Sequence, residues 1–244
     1  MYYQTDLAYV HDKGYADIAI HAAQALLHQL KVRHLPAAPV VDLGCGSGNM
    51  AALLTQAGCS VIGVDFSADI LQLAKENAPD AEFVQASIWD YAIPPAIAIT
   101  AIGEILTYQF DTQNTEENRL RLFRHIHAQL VVGGIFLFDL LEQGILQGKN
   151  SDLKVVEEPE WTMAIRYSES TTTRELTRDI TLFRKLPDGL YRQSKETHRV
   201  RLFDVATISG QLSEVGFEVQ TLDEYHGLKF RPGHVGFLAV KKAP

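Results

Sequence analysis

The sequence has few of the features that mark secreted, membrane-bound or metal-stabilised proteins. It contains two cysteines in 244 residues, too few for a disulfide framework, and neither Cys45 nor Cys59 has the spacing of a metal ligand. No hydrophobic run approaches the roughly 20 residues that a membrane span needs, and the N-terminus lacks the basic region and apolar core of a secretory signal. We therefore expect a cytoplasmic protein without a membrane segment.

Positive charge is also scarce. The chain has 22 basic and 30 acidic residues, a net charge of −8, which makes nucleic acid and anionic membranes poor partners, although a local basic patch is compatible with this balance. The hydrophobic share of 46% and charged share of 21% are ordinary for a globular protein. A small-molecule partner is favoured because no appended RNA- or protein-binding domain is evident in the sequence, and a homodimer stays open.

What the chain does contain is a short apolar run that stops at a glycine-rich turn. Residues 40–48 read Val-Val-Asp-Leu-Gly-Cys-Gly-Ser-Gly. The apolar residues predict a buried parallel strand, and the apolar spacing from Met50 onward predicts a helix. Glycines let a ligand lie against the backbone and tolerate positive φ. A strand, glycine turn and helix in this order hold nucleotide-like ligands at the edge of a parallel sheet.

The details of this turn narrow the ligand. The dinucleotide fingerprint G-x-G-x-x-G has a glycine where Asn49 stands, and an acid at Asp42 is not part of it. Residues 40–48 instead resemble motif I of the class I S-adenosylmethionine-dependent methyltransferases, V-x-D-x-G-x-G-x-G, and match it in full. The resemblance implies S-adenosyl-L-methionine as cofactor and a cofactor-binding set of Asp42, Gly44, Cys45, Gly46 and Gly48.

A second apolar run ends in another acid. Residues 60–65 finish at Asp65, near the spacing expected for a carboxylate that accepts hydrogen bonds from a ribose. Phe66 could pack on an adenine, and Ser67 is a predicted helix N-cap. An acid that only terminates a strand is the alternative for Asp65. The glycine turn upstream makes ribose binding the preferred interpretation.

Three further segments complete the expected cofactor site. Ala86 and Ser87 stand where the family often has Gly-Asp, so Ser87 replaces the acid that binds the adenine amine, and Ile88 could cover the adenine. Gly103 follows a predicted strand and is placed by the resemblance near the methionine moiety. Tyr9 and His11 lie in an aromatic N-terminal segment that family members use as a lid, and a helix packed on the sheet edge is the alternative for that segment.

No catalytic residue can be chosen from the sequence. A general base is needed only if the acceptor carries a proton at working pH, and Glu104, Tyr108 and His198 are the candidates. No constellation of His, Cys or acidic residues predicts a metal. Residues 151–203 hold ten basic residues against nine acidic, and either these pair across a solvated sheet or one of Arg166, Arg178 and Arg199 binds an acidic substrate group.

Alternating strand and helix signals predict an α/β fold. We expect a Rossmann-like, seven-stranded, mostly parallel sheet with helices on both faces, one methyltransferase domain over residues 1–244, and an antiparallel β insertion on the substrate side over residues 146–203. The predicted elements are a helix at 15–31, strands at 40–43, 60–65, 81–85, 96–102, 135–140, 217–222 and 235–240, and helices around 120–130 and 204–215.

The sequence therefore predicts an S-adenosylmethionine-dependent methyltransferase that methylates a small molecule by in-line displacement. The alternatives are an RNA- or protein-directed methyltransferase, a non-catalytic S-adenosylmethionine-binding protein, and an NAD-dependent oxidoreductase. The acceptor atom, the substrate and the oligomeric state are left open.

Overall fold

A computed structural model describes residues 5–14, 16–33, 35–149 and 151–243. Its helices are α1 (Thr5–Gly14), α2 (Ala16–Lys31), α3 (Asn49–Gln56), α4 (Ala68–Asn77), α5 (Glu116–Gln129) and α6 (Val205–Val215). Its strands are β1 (Val40–Leu43), β2 (Val61–Asp65), β3 (Glu82–Gln85), β4 (Ala96–Ala101), β5 (Leu130–Leu141), β6 (Ser151–Glu158), β7 (Trp161–Ser170), β8 (Glu175–Lys185), β9 (Tyr191–Arg201), β10 (Phe217–Leu222), β11 (Glu224–Tyr225), β12 (Leu228–Lys229) and β13 (His234–Lys241).

The main sheet has seven strands in the order β10-β13-β5-β4-β1-β2-β3. β1 pairs in parallel with β2 and β4, β2 with β3, and β4 with β5. β13 alone runs against its neighbours, pairing antiparallel with both β5 and β10. This confirms the predicted α/β fold and its mostly parallel sheet.

Helices cover both faces of this sheet. On one face, α5 and α6 bury Phe123, Ile126 and Leu212 against the strands. On the other face, α2 and α3 bury Leu26 and Leu54 in a separate cluster. The sheet is therefore apolar on both sides, as parallel sheets require.

Helix ends follow the local chemistry of the sequence. Ser67 caps α4 by accepting a hydrogen bond from the Ile70 N–H at 3.4 Å. Asp204 caps α6 by accepting from the Thr207 N–H at 2.7 Å, and Gly216 ends that helix at a φ of 113°. Both predicted N-caps are confirmed because their side chains accept an otherwise unpaired N–H of the first turn.

A second, antiparallel sheet is inserted between β5 and α6. Its strand order is β6-β7-β8-β9, and neighbouring strands pair in sequence. Its inner face packs Trp161, Ile180 and Leu182 against Leu7 and Val10 of α1. The predicted β insertion is therefore present as a sheet, whereas its status as a separate subdomain stays a prediction.

Two segments differ from the expected elements. β5 begins at Leu130, directly after α5, instead of at residue 135. The two glycines that were expected to separate helix from strand lie inside β5, where Gly133 has a φ of 77° and the pairing with β4 shifts register. The N-terminal segment forms α1, and residues 1–4 and 15 of the predicted lid and helix lie outside the described residues.

Within residues 5–14, 16–33, 35–149 and 151–243, no helix is both long and apolar enough to cross a bilayer. Over the same ranges, no three His, Cys, Asp or Glu side chains converge as metal ligands.

Candidate active site

A cleft lies at the carboxyl ends of β1, β2, β3 and β4, the edge at which parallel sheets bind ligands. Its wall combines four loops that the sequence singled out, namely residues 44–47, 65–67, 86–89 and 102–103. His11 and Ala16 of the N-terminal helices also contribute to this wall. The topology therefore brings most of the predicted cofactor residues into one cleft.

The glycine turn needs its glycines for two different reasons. Gly44, Gly46 and Gly48 have φ values of 73°, 53° and 77°, which L side chains rarely adopt. A Cβ at Gly44 would also lie 2.6 Å from Ile105 Cδ1. A Cβ at Gly46 would meet only Ile70 Cδ1 at 3.9 Å, so the backbone at Gly46 stays open to the cleft.

Asp65 connects β2 to this turn. Its Oδ2 accepts the Gly46 N–H at 3.1 Å and its Oδ1 accepts the Ser67 N–H at 3.0 Å. Burial raises the pKa of Asp65, and these two backbone bonds oppose the shift. Since a carboxylate oxygen has two lone pairs, each oxygen keeps an acceptor site beside the cleft.

Asp42 is buried at the end of β1. Its side chain is 3% exposed, and its Oδ1 accepts the Thr100 hydroxyl at 2.6 Å. Burial raises the pKa of Asp42 to about 6, with a further contribution from the charge of Asp65. Asp42 and Gly48 are absent from the described cleft wall, and their predicted part in cofactor binding stays a prediction.

Aromatic and apolar side chains form one end of the cleft. Phe66 is 40% exposed there, and its ring lies 4.8 Å from that of Phe110. Ile88 and the buried Trp89 line the same end. Ser87 also faces this end and donates its hydroxyl to Asp111 Oδ2 at 2.7 Å. This end offers flat apolar surfaces beside a carboxylate.

Gly103 and Glu104 mark the other end. Their backbone N–H groups donate to the two oxygens of Asp139, at 3.0 Å and 2.6 Å. Glu104 has a φ of 66°, a conformation unusual for a residue with a side chain. Asp139 therefore holds the loop after β4 in a shape that the residues of the loop would not adopt by themselves.

Asp139 is fully buried and contacts two more groups at the end of the sheet. The Tyr225 hydroxyl donates to its Oδ2 at 3.2 Å, and His234 Nε2 forms an ion-pair contact 3.0 Å from its Oδ1. Burial opposes the charged imidazole, but the neighbouring Asp139 carboxylate raises the pKa of His234 above its usual value. This network fixes the loop that carries Glu104.

The insertion sheet brings polar groups to the same end. Arg178 Nη2 donates to Glu104 Oε2 at 2.6 Å, and the two side chains are only 15% and 16% exposed. Arg178 lies opposite His198 in the β8–β9 pairing, so both face inward. His198 Nε2 lies 2.9 Å from Glu196 Oε2, and the His198 ring meets Tyr108 edge-on at 5.9 Å.

The predicted N-terminal contacts separate into two groups. His11 is part of the cleft wall, and burial lowers its pKa despite the nearby charges of Asp12 and Glu104. Tyr9 is directed away from the cleft. Its hydroxyl donates to Glu160 Oε2 at 3.0 Å, and the Arg184 guanidinium covers its ring at 3.8 Å. Tyr9 therefore fastens α1 to the insertion.

Comparison with known proteins agrees with this geometry. Residues 40–134 match the family model of a methyltransferase domain, the stretch that contains the turn, Asp65 and the loop after β4. Over these residues the chain is similar to a methyltransferase domain.

Individual relatives extend the comparison. A trans-aconitate 2-methyltransferase from Paracidovorax citrulli is 34% identical over 142 residues, 57% of this chain and 53% of that protein. The chain spans about a third to a half of the length of the first curated relatives it matches. An S-adenosylmethionine-dependent methyltransferase structure from Clostridium acetobutylicum has a TM-score of 0.81 at 18% identity, covering 98% of both chains.

A sugar-modifying enzyme shares the same fold. The structure of an amino pentose methyltransferase from Micromonospora echinaspora, with S-adenosylmethionine bound, has a TM-score of 0.73 at 15% identity and covers 99% of this chain and 98% of that one. At such identities the likeness shows a shared fold. The insertion sheet is included in this likeness because the coverage extends over the chain.

The cleft contains most, but not all, of the residues predicted for it. Its wall includes His11, Gly44, Cys45, Gly46, Asp65, Phe66, Ser87, Ile88 and Gly103. Of the three candidate bases, Tyr108 lies in the wall, Glu104 is paired with Arg178, and His198 lies behind Tyr108. The roles of all these residues stay predictions.

Sequence reasoning missed three acids of this site. Asp139 interrupts the hydrophobic run of β5 two residues before the strand ends, where a single acid could have been recognised. Glu196 lies two positions before His198 on β9, and residues two apart on a strand point to the same face, so the two side chains could have been placed together. Asp111 stands in a polar loop without any local signal. Only the chain topology brings these acids to the site.

Proposed function

We propose that this protein transfers the methyl group of S-adenosyl-L-methionine to a small-molecule acceptor. The observation that carries the proposal is one continuous cleft. It joins the open backbone of Gly46 and the carboxylate of Asp65 at one end to Gly103, His11 and Tyr108 at the other. The cofactor and acceptor ends of a methyl transfer would therefore share one enclosed space.

The residues present fit the adenosyl part of this cofactor. The two oxygens of Asp65 keep one acceptor site each, which suits a pair of vicinal hydroxyls. Gly46 allows close approach of a ligand to the turn. Phe66 and Ile88 offer apolar surface to a base. When bound, the cofactor would supply a methyl group already activated by its sulfonium.

The protein would then contribute positioning and exclusion of water. α1 and the insertion sheet cover the acceptor end, where Leu7 and Val10 pack on Trp161 and Met163. Holding two reactants in line inside such a space removes much of the entropic barrier to a bimolecular step. The small size of the covered space favours a small-molecule acceptor over RNA or protein.

We assign to His11 the role of general base, which accepts the proton released by the methyl acceptor. It lies in the cleft wall, and its lowered pKa keeps the imidazole neutral at pH 7 and able to accept a proton. Glu104 is committed to Arg178, and His198 lies behind Tyr108. A proton acceptor is required for a hydroxyl or an ammonium acceptor and is dispensable for a carboxylate.

Charge at the acceptor end favours an acceptor with an acidic group. Of the three arginines predicted as alternatives, Arg166 and Arg199 are exposed, whereas Arg178 faces inward beside Glu104 and has a buried Nε without a hydrogen-bond partner. A guanidinium matches a carboxylate in geometry and charge. The curated relatives named for trans-aconitate, a carboxylate substrate, support the same class.

Calorimetry tests the cofactor. Titration with S-adenosylmethionine, with its demethylated product and with NAD should show binding of the first two compounds and none of NAD. Binding of NAD alone would reject the proposal in favour of an oxidoreductase. Binding without transfer from labelled cofactor into any component of a metabolite extract would favour a non-catalytic binding protein.

An acceptor panel tests the substrate class. Small carboxylic acids, amino sugars, RNA and a protein extract are compared for uptake of labelled methyl. Arg178→Lys should raise KM for an acidic acceptor about tenfold by losing forked contacts, while Arg166→Lys on the exposed side should leave KM unchanged. Uptake into RNA or protein alone would contradict the small-molecule proposal.

We also propose a cytoplasmic protein that does not act on nucleic acid and that can form a homodimer. Composition and charge are the support for these points. Size-exclusion chromatography with light scattering measures the oligomeric state directly.

A further inference from the structure

Ser87 follows the end of β3 by two positions and lies in the cleft wall. A hydroxyl is a weaker acceptor than a carboxylate. Yet the Ser87 hydroxyl lies 2.7 Å from a carboxylate oxygen of Asp111, which comes from the loop after β4. Both residues belong to the cleft wall.

We infer that Asp111 selects a purine with a 6-amino group at this end of the cleft, and that Ser87 positions it. The inference rests on the proposed function, because it concerns the base of the proposed cofactor. It assigns the choice between a 6-amino and a 6-oxo base to a residue from the loop after β4 instead of one from the end of β3.

The hydrogen-bond inventory leaves Asp111 able to accept more. Its Oδ2 accepts from Ser87, and its Oδ1 accepts the Gln113 N–H at 2.9 Å. Two carboxylate oxygens offer about four acceptor sites. Ser87 has a single hydroxyl proton, which is given to Asp111, and its oxygen also accepts the Trp89 N–H at 3.3 Å. Asp111 is therefore the stronger acceptor of the pair for a ligand donor.

The surroundings match a planar base. The rings of Phe66 and Phe110 lie 4.8 Å apart at 41°, and both belong to the wall that contains Asp111. Aromatic faces provide broad contact area for a flat heterocycle. A carboxylate at the edge of such surfaces attracts an amino group, which only donates, and repels a carbonyl oxygen, which only accepts.

The same carboxylate also has a local structural role that the test must separate from ligand selection. Its bond to the Gln113 N–H, two residues along, is an Asx turn that shapes the loop. Asp111→Asn keeps an oxygen that can accept this N–H while gaining an amide that can donate. A purely structural role would therefore be preserved in Asp111→Asn, and a selective role would be reversed.

The experiment is calorimetric and needs no acceptor. S-adenosylhomocysteine and its deaminated 6-oxo counterpart, S-inosylhomocysteine, are titrated into the wild type, Asp111→Asn, Asp111→Ala and Ser87→Ala. The wild type should prefer the 6-amino compound about 10- to 100-fold, the range for one hydrogen bond to a charged group. Asp111→Ala should bind both compounds with similar affinity. Asp111→Asn should shift the preference toward the 6-oxo compound, and Ser87→Ala should reduce it only in part.

Asp90 provides the matched control. It is an exposed acid in the neighbouring turn, it accepts from the Gln113 side chain at 2.5 Å, and it is absent from the described cleft wall. Asp90→Asn removes the same charge and should keep the wild-type preference.

An unchanged preference in Asp111→Asn and Asp111→Ala, with wild-type melting temperatures, would overturn the inference while leaving the proposed function intact. A wild type that binds neither compound would instead overturn the proposed function, and this inference with it. A loss of preference in Asp90→Asn equal to that in Asp111→Asn would assign the effect to general charge and would also overturn the inference.

Discussion

The two ends of the cleft are built in different ways. At the cofactor end, the decisive contact joins the Gly46 backbone to Asp65 over 19 positions, within one strand–helix–strand unit. At the acceptor end, Arg178 reaches Glu104 over 74 positions, and Arg192 reaches Asp6 over 186. The first end depends on backbone shape set by local sequence, and the second depends on side chains brought together by the whole fold.

This difference teaches where each end is vulnerable. A turn held by backbone bonds tolerates changes elsewhere in the chain, because its geometry is fixed by adjacent residues. A contact between charged side chains from different sheets forms only if all the elements that connect the two sheets are correctly placed. A change at the acceptor end should therefore affect stability and acceptor binding, and a change at the cofactor end should affect cofactor affinity.

The largest effect is expected at the Arg178–Glu104 pair. Breaking a fully buried pair costs roughly 3–5 kcal/mol. Because about one sixth of each side chain is exposed, we expect Arg178→Met to lower the free energy of unfolding by about 3 kcal/mol. Urea denaturation measures the loss.

A double-mutant cycle with Glu104→Gln sharpens this prediction. The second substitution removes the stranded carboxylate and should recover a large part of the lost stability. Arg199→Met, on the exposed side of β9, is the matched control and should change stability by less than about 0.5 kcal/mol. Equal losses in the two arginine variants would mean that the 2.6 Å pair contributes nothing specific.

The next effect concerns the buried acid at the cofactor end. The pKa of Asp42 is raised to about 6 in the folded state from an ordinary 3.8. The folded state then binds the proton more tightly than the unfolded state, so the stability from this group is present below pH 3.8 and is lost as pH rises through 6. The loss over this window is up to about 3 kcal/mol, from 1.36 kcal/mol per pKa unit.

Asp42→Asn tests this pH dependence. The amide cannot ionise, so the variant should lose the fall in stability between pH 4 and 7 and should exceed the wild type at pH 7. Denaturation midpoints measured at several pH values give the comparison. Thr100→Val should extend the fall to higher pH, since removing the 2.6 Å hydrogen bond that favours the carboxylate raises its folded-state pKa further.

A third prediction concerns cofactor affinity. Asp65→Ala removes both acceptor oxygens that the ribose would use, and we expect S-adenosylhomocysteine to bind about 10- to 100-fold more weakly, or about 1.5–3 kcal/mol. Asp69→Ala, in the exposed first turn of α4, is the control and should bind normally. Arg178→Lys should also bind the cofactor normally. An equal loss in Arg178→Lys would erase the distinction between the two ends.

The sequence alone predicted the cofactor end better than the acceptor end. Val40 to Gly48 and Asp65 carry local signals, because a buried strand, a positive-φ turn and a terminal acid each have a short-range signature. The mostly parallel sheet with helices on both faces followed from alternating strands and helices. Phe217 to Leu222 and the caps Ser67 and Asp204 match the structure for the same reason.

What could not be predicted depends on distance along the chain. The sequence around Asp139 gives no sign that this side chain accepts the N–H groups of Gly103 and Glu104. The two segments become neighbours only when β4 and β5 pair in the sheet. Tyr9 was expected at the cofactor, but the insertion provides Glu160 and Arg184 as closer partners. Arg178 could not be separated from Arg166 and Arg199 until strand pairing fixed which face is inward.

The smallest effect is expected where α1 meets the insertion. Asp6 is 5% exposed and is bonded to Arg184 at 3.1 Å and to Arg192. The hydrogen bond from Arg192, opposed by burial and aided by Arg184, holds the pKa of Asp6 below its usual value. Because Arg192 is half exposed, Asp6→Asn should cost about 1 kcal/mol of unfolding free energy.

The pH dependence of stability distinguishes an ionic interaction of Asp6 with the two arginines from simple packing. An acid with a lowered folded pKa contributes stability above pH 3.8, and that contribution is lost as pH falls through the folded pKa. The difference between the wild type and Asp6→Asn should therefore be present at pH 7 and shrink progressively as pH falls below 3.8, while the exposed Asp17→Asn control shows no difference at any of these pH values. If Asp6→Asn also raises the KM of the acceptor and leaves cofactor affinity unchanged, α1 belongs functionally with the insertion. If cofactor affinity falls instead, α1 contributes to cofactor binding at the glycine turn, and α1 belongs to the cofactor end of the cleft.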